Sequence, residues 1–223
     1  MAEIRERMGN LFDCDCQVVV NTVNTAGVMG RGIALEFRYR YPDMFDDYAR
    51  RCAAGEVQVG SLTLWKRSTP WILNFPTKTD WRLPSKYEYL EAGLQCFATL
   101  YTRERIDSIA FPPLGASLGG LELERVTVLM RRWLEPLPHL VVHIVRYDES
   151  AGDRWFDTLS ACARGWSPAD FHTELGLLKA QAALVAEVLK SGELSQMSQV
   201  NSRQSRGLAR DRWKGCMDSS GRG

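Results

Sequence analysis

The stretch Asn21 to Phe37, NTVNTAGVMGRGIALEF, follows directly on an apolar run, Gln17 to Val20. This junction narrows the possible folds more than any other part of the chain. The run before it reads as a buried strand. Gly27, Gly30 and Gly32 then form a glycine-rich turn, and Ile33, Ala34 and Phe37 fall at helical spacing after it. A strand, a glycine turn and a helix start make an anion site, because unobstructed backbone N–H groups meet the positive end of a helix dipole. The spacing is G-x-x-G-x-G. It is not the dinucleotide fingerprint, and no Gly-Lys-Ser/Thr follows to make a P-loop. A plain tight turn is the alternative reading.

The rest of the chain supplies the context. Ile4 to Met8 is expected as a strand ending at the Gly9-Asn10 turn, and Cys16 to Val20 as the next strand. Helices are expected from Arg31 to Tyr39 and from Met44 to Ala53, separated by Pro42. Val59 to Lys66 and Trp71 to Phe75 read as strands that a hairpin turn can join. Pro76 to Pro84, PTKTDWRLP, reads as a polar loop carrying Lys78, Trp81 and Arg82. Ser85 with Glu88 is a capping box for the next helix. Ser108 to Phe111 is a short buried strand, and Pro112 to Gly120, PPLGASLGG, is a second glycine-rich loop. A helix from Glu122 to Leu134 and a strand from His139 to Val145 follow, with Arg146 and Tyr147 at the strand exit. Helices alternating with short strands predict an α/β layered sheet, whose ligands sit where loops leave the strand C-termini. Two anion loops there suit a diphosphate.

After Tyr147 the pattern changes. A short helix can fall within 148–166, Ser167-Pro168 is a cap with proline at the first helical position, and Ala169 to Lys190 reads as a long helix. The last residues, 191–223, are Ser, Gln, Arg and Gly with few apolar side chains, and are expected to be disordered. The expected division is a first domain over 1–150, a helical extension over 151–190 and a disordered tail over 191–223.

A net charge of +1 over 223 residues argues against a globally basic nucleic-acid binder. The six cysteines are scattered with no C-x-x-C pair. They are expected as reduced thiols in a cytoplasmic protein rather than as zinc ligands or disulfides. No apolar run reaches the length of a membrane span. No metal and no cofactor is expected.

Four segments, GNLF (Gly9 to Phe12), NTVNTAGVMGRGIAL (Asn21 to Leu35), NFPTK (Asn74 to Lys78) and PPLGASLGGL (Pro112 to Leu121), occur in this order. Together they resemble a macrodomain, and within that family the lysine-bearing DarG type. The resemblance covers Met1 to Tyr147. It implies a three-layer α/β/α sandwich with a mixed central sheet that binds ADP-ribose. It further implies an ADP-ribosyl glycohydrolase that removes ADP-ribose from thymidine in single-stranded DNA, an antitoxin-like repair activity paired with a DarT-like toxin.

The resemblance also implies site residues. Asn10 and Leu11 fall at the adenine end, where asparagine accepts a hydrogen bond without a carboxylate's charge assistance. Asn24 falls at the distal ribose. Asn21 belongs to the same shell, with tying down the loop as its other reading. Gly27, Met29, Gly30, Arg31 and Gly32 fall on the first phosphate loop, and Leu114, Gly115, Ala116, Ser117, Leu118 and Gly119 on the second. Thr77 precedes Lys78, the catalytic lysine, and Tyr147 is an adenine platform. Trp81 and Arg82 are candidates for stacking on a base and pairing a phosphate of DNA. Two departures stand out. Ser117 replaces an expected glycine, and Gly119 stands where lysine-dependent human relatives carry an aspartate. Two other functions remain open: a module that binds ADP-ribose without hydrolysis, and a hydrolase of ADP-ribosylated protein or small ADP-ribose derivatives.

Overall fold

Six strands form one sheet in the order β1 (Glu3–Gly9), β6 (Val141–Tyr147), β5 (Ser108–Phe111), β2 (Val18–Asn24), β4 (Trp71–Lys78) and β3 (Thr63–Trp65). Every neighbouring pair is parallel except β3 with β4, which is an antiparallel hairpin, so the sheet is mixed. The computed structural model describes residues 1–174, 179–191 and 196. The chain divides into two units, Met1–Asp148 and Glu149–Gly223.

The central strands are covered on both faces, which is why Val18, Val19 and Val20 are all apolar rather than alternating with polar residues. Val18, Val20, Leu73, Phe75, Ile109 and Phe111 point to one side. There they meet α3 (Tyr87–Glu104) and α4 (Leu123–Leu134) through Leu90, Leu94, Phe97, Val126 and Met130. Val19, Val23, Ile72 and Ala110 point to the other side, against Phe37 of α1 (Gly32–Arg40) and Met44 and Tyr48 of α2 (Pro42–Ala53). The result is an α/β/α sandwich.

Several boundaries differ from the sequence reading. β2 does not stop at Val20. It pairs in parallel with β4 through Asn21↔Asn74 and on to Asn24↔Lys78, so both asparagines lie in the sheet rather than in the loop. β4 likewise runs to Lys78, taking Pro76 and Thr77 into the sheet rather than the expected loop. A register shift between Val23 and Asn24 lies beside Pro76, at the kind of irregularity where a strand tolerates proline. The strand expected over Val59 to Lys66 shrinks to Thr63–Trp65, because Gln58 to Ser61 closes a turn with Gly60 at φ +82°. The capping box at Ser85 does not form: Lys86 occupies the cap position of α3 with no side-chain cap bond.

In the second unit the structure describes α5 (Arg154–Cys162), α6 (Pro168–Glu174) and α7 (Lys179–Ser191). The Asp153 carboxylate accepts the amides of Trp155 and Phe156 at 3.0 and 3.3 Å and starts α5. Ser167 and Asp170 cap α6 reciprocally. The Ser167 amide donates to Asp170 at 2.7 Å, and the Asp170 amide to the Ser167 hydroxyl at 3.3 Å. The single helix expected over Ala169 to Lys190 is described as α6 and α7, with residues 175–178 outside the described part. The tail expected over 191–223 also lies outside it, apart from Ser191 and Gln196. Among the described residues no helix is long and apolar enough to cross a membrane.

Candidate functional site

Because β1, β2, β4, β5 and β6 are mutually parallel, their C-terminal ends share one edge of the sheet. That edge receives Asn10 after β1, Asn24 at the end of β2, Lys78 at the end of β4, the second glycine loop after β5, and Tyr147 at the end of β6. Residues as far apart in sequence as Asn10 and Tyr147 are thereby gathered where an α/β sheet places its ligand.

The first loop is held from below. Asn24 is buried, and its amide nitrogen donates to the Val28 carbonyl at 2.6 Å. Its side-chain oxygen accepts the amides of Ala26 and Val28 at 3.0 and 3.2 Å. The Tyr48 hydroxyl of α2 donates to the Asn24 carbonyl at 2.5 Å. Burial, reinforced by Cys52 beside it, pushes the Tyr48 phenol far above its ordinary range, so it stays a proton donor. Gly32 opens α1 at φ +57°, and a Cβ there would sit 2.9 Å from Leu118 Cδ1. The exposed Leu118 thus reaches from the second loop onto the first.

Lys78 joins the loops from the sheet side. Its Nζ donates to the Leu118 carbonyl at 2.6 Å, and its own carbonyl accepts the Thr25 amide at 3.1 Å. The second loop closes on itself through Leu121 N to Gly115 O at 3.1 Å and is anchored by Ser85 N to Gly119 O at 3.0 Å. A Cβ at Gly119 would lie 2.2 Å from the Gly115 carbonyl and 2.4 Å from Ser85 Oγ. A side chain at this position would force the Gly115 backbone to shift. Ser117 points outward, in an exposed position.

At the far end, the Asn10 side chain accepts the Phe12 amide at 3.1 Å and caps a 3-10 turn over Leu11–Asp13. Tyr147 pairs with Gly9 in the sheet and is exposed, beside Asn10. Past Lys78, Trp81 is 49% exposed and the Arg82 guanidinium lies 4.7 Å over its ring. The Asp80 carboxylate accepts the Arg82 amide at 2.9 Å and shapes this turn.

Not every expected residue is presented to the edge. Asn21 is fully buried, and its amide donates to Asn74 Oδ1 at 2.9 Å across β2 and β4. This bond ties β2 to β4 within the sheet. Met29 and Leu114 are core residues, and Thr77 is buried with its hydroxyl toward the Val23 carbonyl. Gly30 and Arg31 are exposed, and Ala116 is half-buried on the second loop. Sequence reading missed Tyr48, Asn74 and Ser85. Tyr48 follows Met44 by one helical turn on the buried face of α2, so it looks like core. Asn74 inside an apolar strand, in parallel with Asn21, was the readable signal. Ser85 is only 4% exposed, and its hydroxyl has no hydrogen-bond partner in the structure.

Residues 20–130 match the model of the Macro domain. Solved macrodomains of DarG from Thermus aquaticus and from Mycobacterium tuberculosis are each 40% identical to this chain and superpose with TM-scores of 0.62 and 0.63. They cover 66% and 67% of this chain, which spans 99% and 100% of theirs. The chain belongs to the macrodomain family. A macrodomain from Streptomyces coelicolor, 19% identical with a TM-score of 0.53, shares the fold. Among curated relatives, a Mycobacterium tuberculosis protein named DNA ADP-ribosyl glycohydrolase is 40% identical over 165 residues, 72% of this chain. A Thermus aquaticus protein of that name is 41% identical over 140 residues, 61% of this chain. The macrodomain chain spans 46% and 39% of the length of these two relatives.

Proposed function

We propose that this macrodomain binds ADP-ribose along the strand-end edge and hydrolyses it from ADP-ribosylated thymidine in single-stranded DNA, with Lys78 as the catalytic group. The observation that carries the reading is the position of Lys78. It ends β4 beside Asn24, and its Nζ lies at the junction of two glycine-rich loops. The 40% identity to proteins named DNA ADP-ribosyl glycohydrolase supports the activity. So does the likeness to a Thermosipho africanus structure titled as DarTG in complex with ADP-ribose, 33% identical with a TM-score of 0.62.

In this reading the diphosphate lies on backbone N–H groups of the loops Gly27 to Gly32 and Leu114 to Gly119. Asn10 and Tyr147 take the adenine, and the distal ribose reaches Asn24 and Lys78. Trp81 stacks on a DNA base and Arg82 pairs a phosphate. A cytoplasmic setting and a DarT-like transferase that makes the substrate complete it. Two chemistries suit the lysine. As a neutral amine it attacks the anomeric carbon of the opened ribose: the bond from that carbon to the base breaks, the base leaves with a proton, and the resulting lysine imine is hydrolysed by water to free ADP-ribose. As an ammonium it stabilises the departing base while water adds to that carbon. With no carboxylate at position 119 to move protons, the cationic role is favoured. The same missing acid favours, as a second reading, a module that binds ADP-ribose and does not turn it over.

Incubation with a thymidine-ADP-ribosylated single-stranded oligonucleotide tests the proposal. Release of free ADP-ribose is expected, and tight binding without release would replace the hydrolase with the reader. Trp81→Ala should weaken oligonucleotide binding by about 1–3 kcal/mol, the usual worth of one stacked base, and leave free ADP-ribose binding unchanged. Equal loss for both ligands would mean that Trp81 only packs its loop.

A further inference from the structure

Cys14 and Cys16 flank an exposed Asp15 just beyond the 3-10 turn that carries Asn10 and Leu11. Cys14 ends that turn, its amide donating to the Leu11 carbonyl at 3.3 Å. The Cys16 amide then donates to the Cys14 carbonyl at 2.9 Å. A bond to the carbonyl two residues back is a γ-turn centred on Asp15. An extended chain would hold the two Cα atoms about 6.5–7 Å apart. A γ-turn draws them toward the roughly 5.5–6 Å at which disulfides are most often found.

The two sulfurs are unequal. Arg7 Nη2 of β1 donates to Cys14 Sγ at 2.9 Å, and the γ-turn sets Cys16 beside Cys14. These contacts hold the Cys14 thiol down at about 7 against its burial, with Cys16 contributing most. The same contact, with burial, drives the Cys16 thiol far up, so that Cys16 keeps its proton. The two residues are 6% and 9% exposed.

We propose that Cys14 and Cys16 are a peroxide-responsive thiol pair, with Cys14 the attacking sulfur and Cys16 the resolving one. The Cys14 thiolate attacks hydrogen peroxide. An S–O bond forms, the O–O bond breaks, and the departing hydroxide takes a proton to become water. The Cys16 sulfur then attacks the Cys14 sulfenic acid. The S–S bond forms, the S–O bond breaks, and the Cys16 proton leaves with the oxygen as a second water. Two thiols are oxidised and one peroxide is reduced to two waters. The disulfide removes the negative partner of Arg7 and pulls on the end of the turn that presents Asn10. Weaker ADP-ribose binding after oxidation follows from this, and that consequence alone rests on the proposed ligand.

The full chain, treated with dilute hydrogen peroxide and then alkylated, should yield a Cys14–Cys16 cross-linked peptide before Cys52, Cys96, Cys162 or Cys216 is oxidised. Cys16→Ser should accumulate a sulfenic acid on Cys14 that a dimedone probe traps, and Cys14→Ser should show none on Cys16. Arg7→Gln, at an exposed strand position, should slow the reaction by about fivefold to tenfold through the lost thiolate fraction. Oxidation of Cys14 no faster than that of the other four cysteines would overturn the proposal, and so would an unchanged rate in Arg7→Gln. The cross-link is read without ADP-ribose, so its failure is distinct from failure of the proposed function.

Discussion

In the first glycine-rich loop, the Asn24 side chain takes two backbone N–H groups and one carbonyl, and a buried phenol from α2 holds its carbonyl from below. In the second, the bonds are between backbone groups, Leu121 to Gly115 and Ser85 to Gly119, with a side-chain bond from Lys78 to the Leu118 carbonyl. Similar glycine content therefore conceals two kinds of support. The first loop owes its shape to buried side chains behind it. The second owes its shape to close backbone packing and to the lysine assigned to the chemistry. A change in the first should spread through the core, whereas a change in the second should act on the Lys78 contact.

The largest effect is expected where backbone meets backbone. Gly119→Asp places a Cβ 2.2 Å from the Gly115 carbonyl, and should cost about 3 kcal/mol, the upper end for overpacking. Chemical denaturation reads it. A cost under about 1 kcal/mol would mean that the second loop gives way easily and that the contrast with the first is overstated. Gly32→Val comes next. The left-handed backbone alone should cost about 1–2 kcal/mol in a residue with a side chain, and the branched side chain meets Leu118. Wild-type protein at 100 times the dissociation constant of ADP-ribose should gain about 2.7 kcal/mol. The valine variant should lose most of that melting shift. No shift in the wild type at millimolar ADP-ribose would remove the ligand assignment itself. Tyr48→Phe is the smallest change. It deletes one hydroxyl that donates to the Asn24 carbonyl and should cost about 1 kcal/mol of stability, with ADP-ribose affinity falling because the first loop loosens. Loss of affinity with no loss of stability would contradict support from below.

Much of this was legible in the sequence. The order of strands and helices, the two glycine loops and the strand-exit positions of Lys78 and Tyr147 all follow from short apolar runs punctuated by glycine and proline. The extent of β2 and β4 was not legible, because Asn21, Asn74 and Pro76 are poor strand residues taken singly. They become acceptable only in partnership: the Asn21 amide donates to Asn74 Oδ1 across the sheet, the Asn74 amide donates to Met44 Sδ, and Pro76 lies beside an irregular register. Ser85 followed by Glu88 carries a helix-cap signature, but packing against Gly115 and Gly119 won over capping and left the hydroxyl without a partner. The sequence places Asn24 at the distal ribose but does not show that its side chain also holds its own loop together.

The central claim is that Lys78 performs the reaction and does not merely bridge the loops through Leu118. Single-turnover release of ADP-ribose from the modified oligonucleotide, measured beside ADP-ribose affinity in wild type, Lys78→Ala and Lys78→Arg, tests it most directly. The account predicts that alanine abolishes release while affinity stays within a few fold, the pattern of an interaction made only in the transition state. Arginine should keep partial activity if the side chain acts as a cation. It should fail like alanine, with a borohydride-trapped adduct in the wild type, if the amine is the nucleophile. Release at the wild-type rate from the Lys78→Ala protein would contradict both versions and reduce Lys78 to a structural tie.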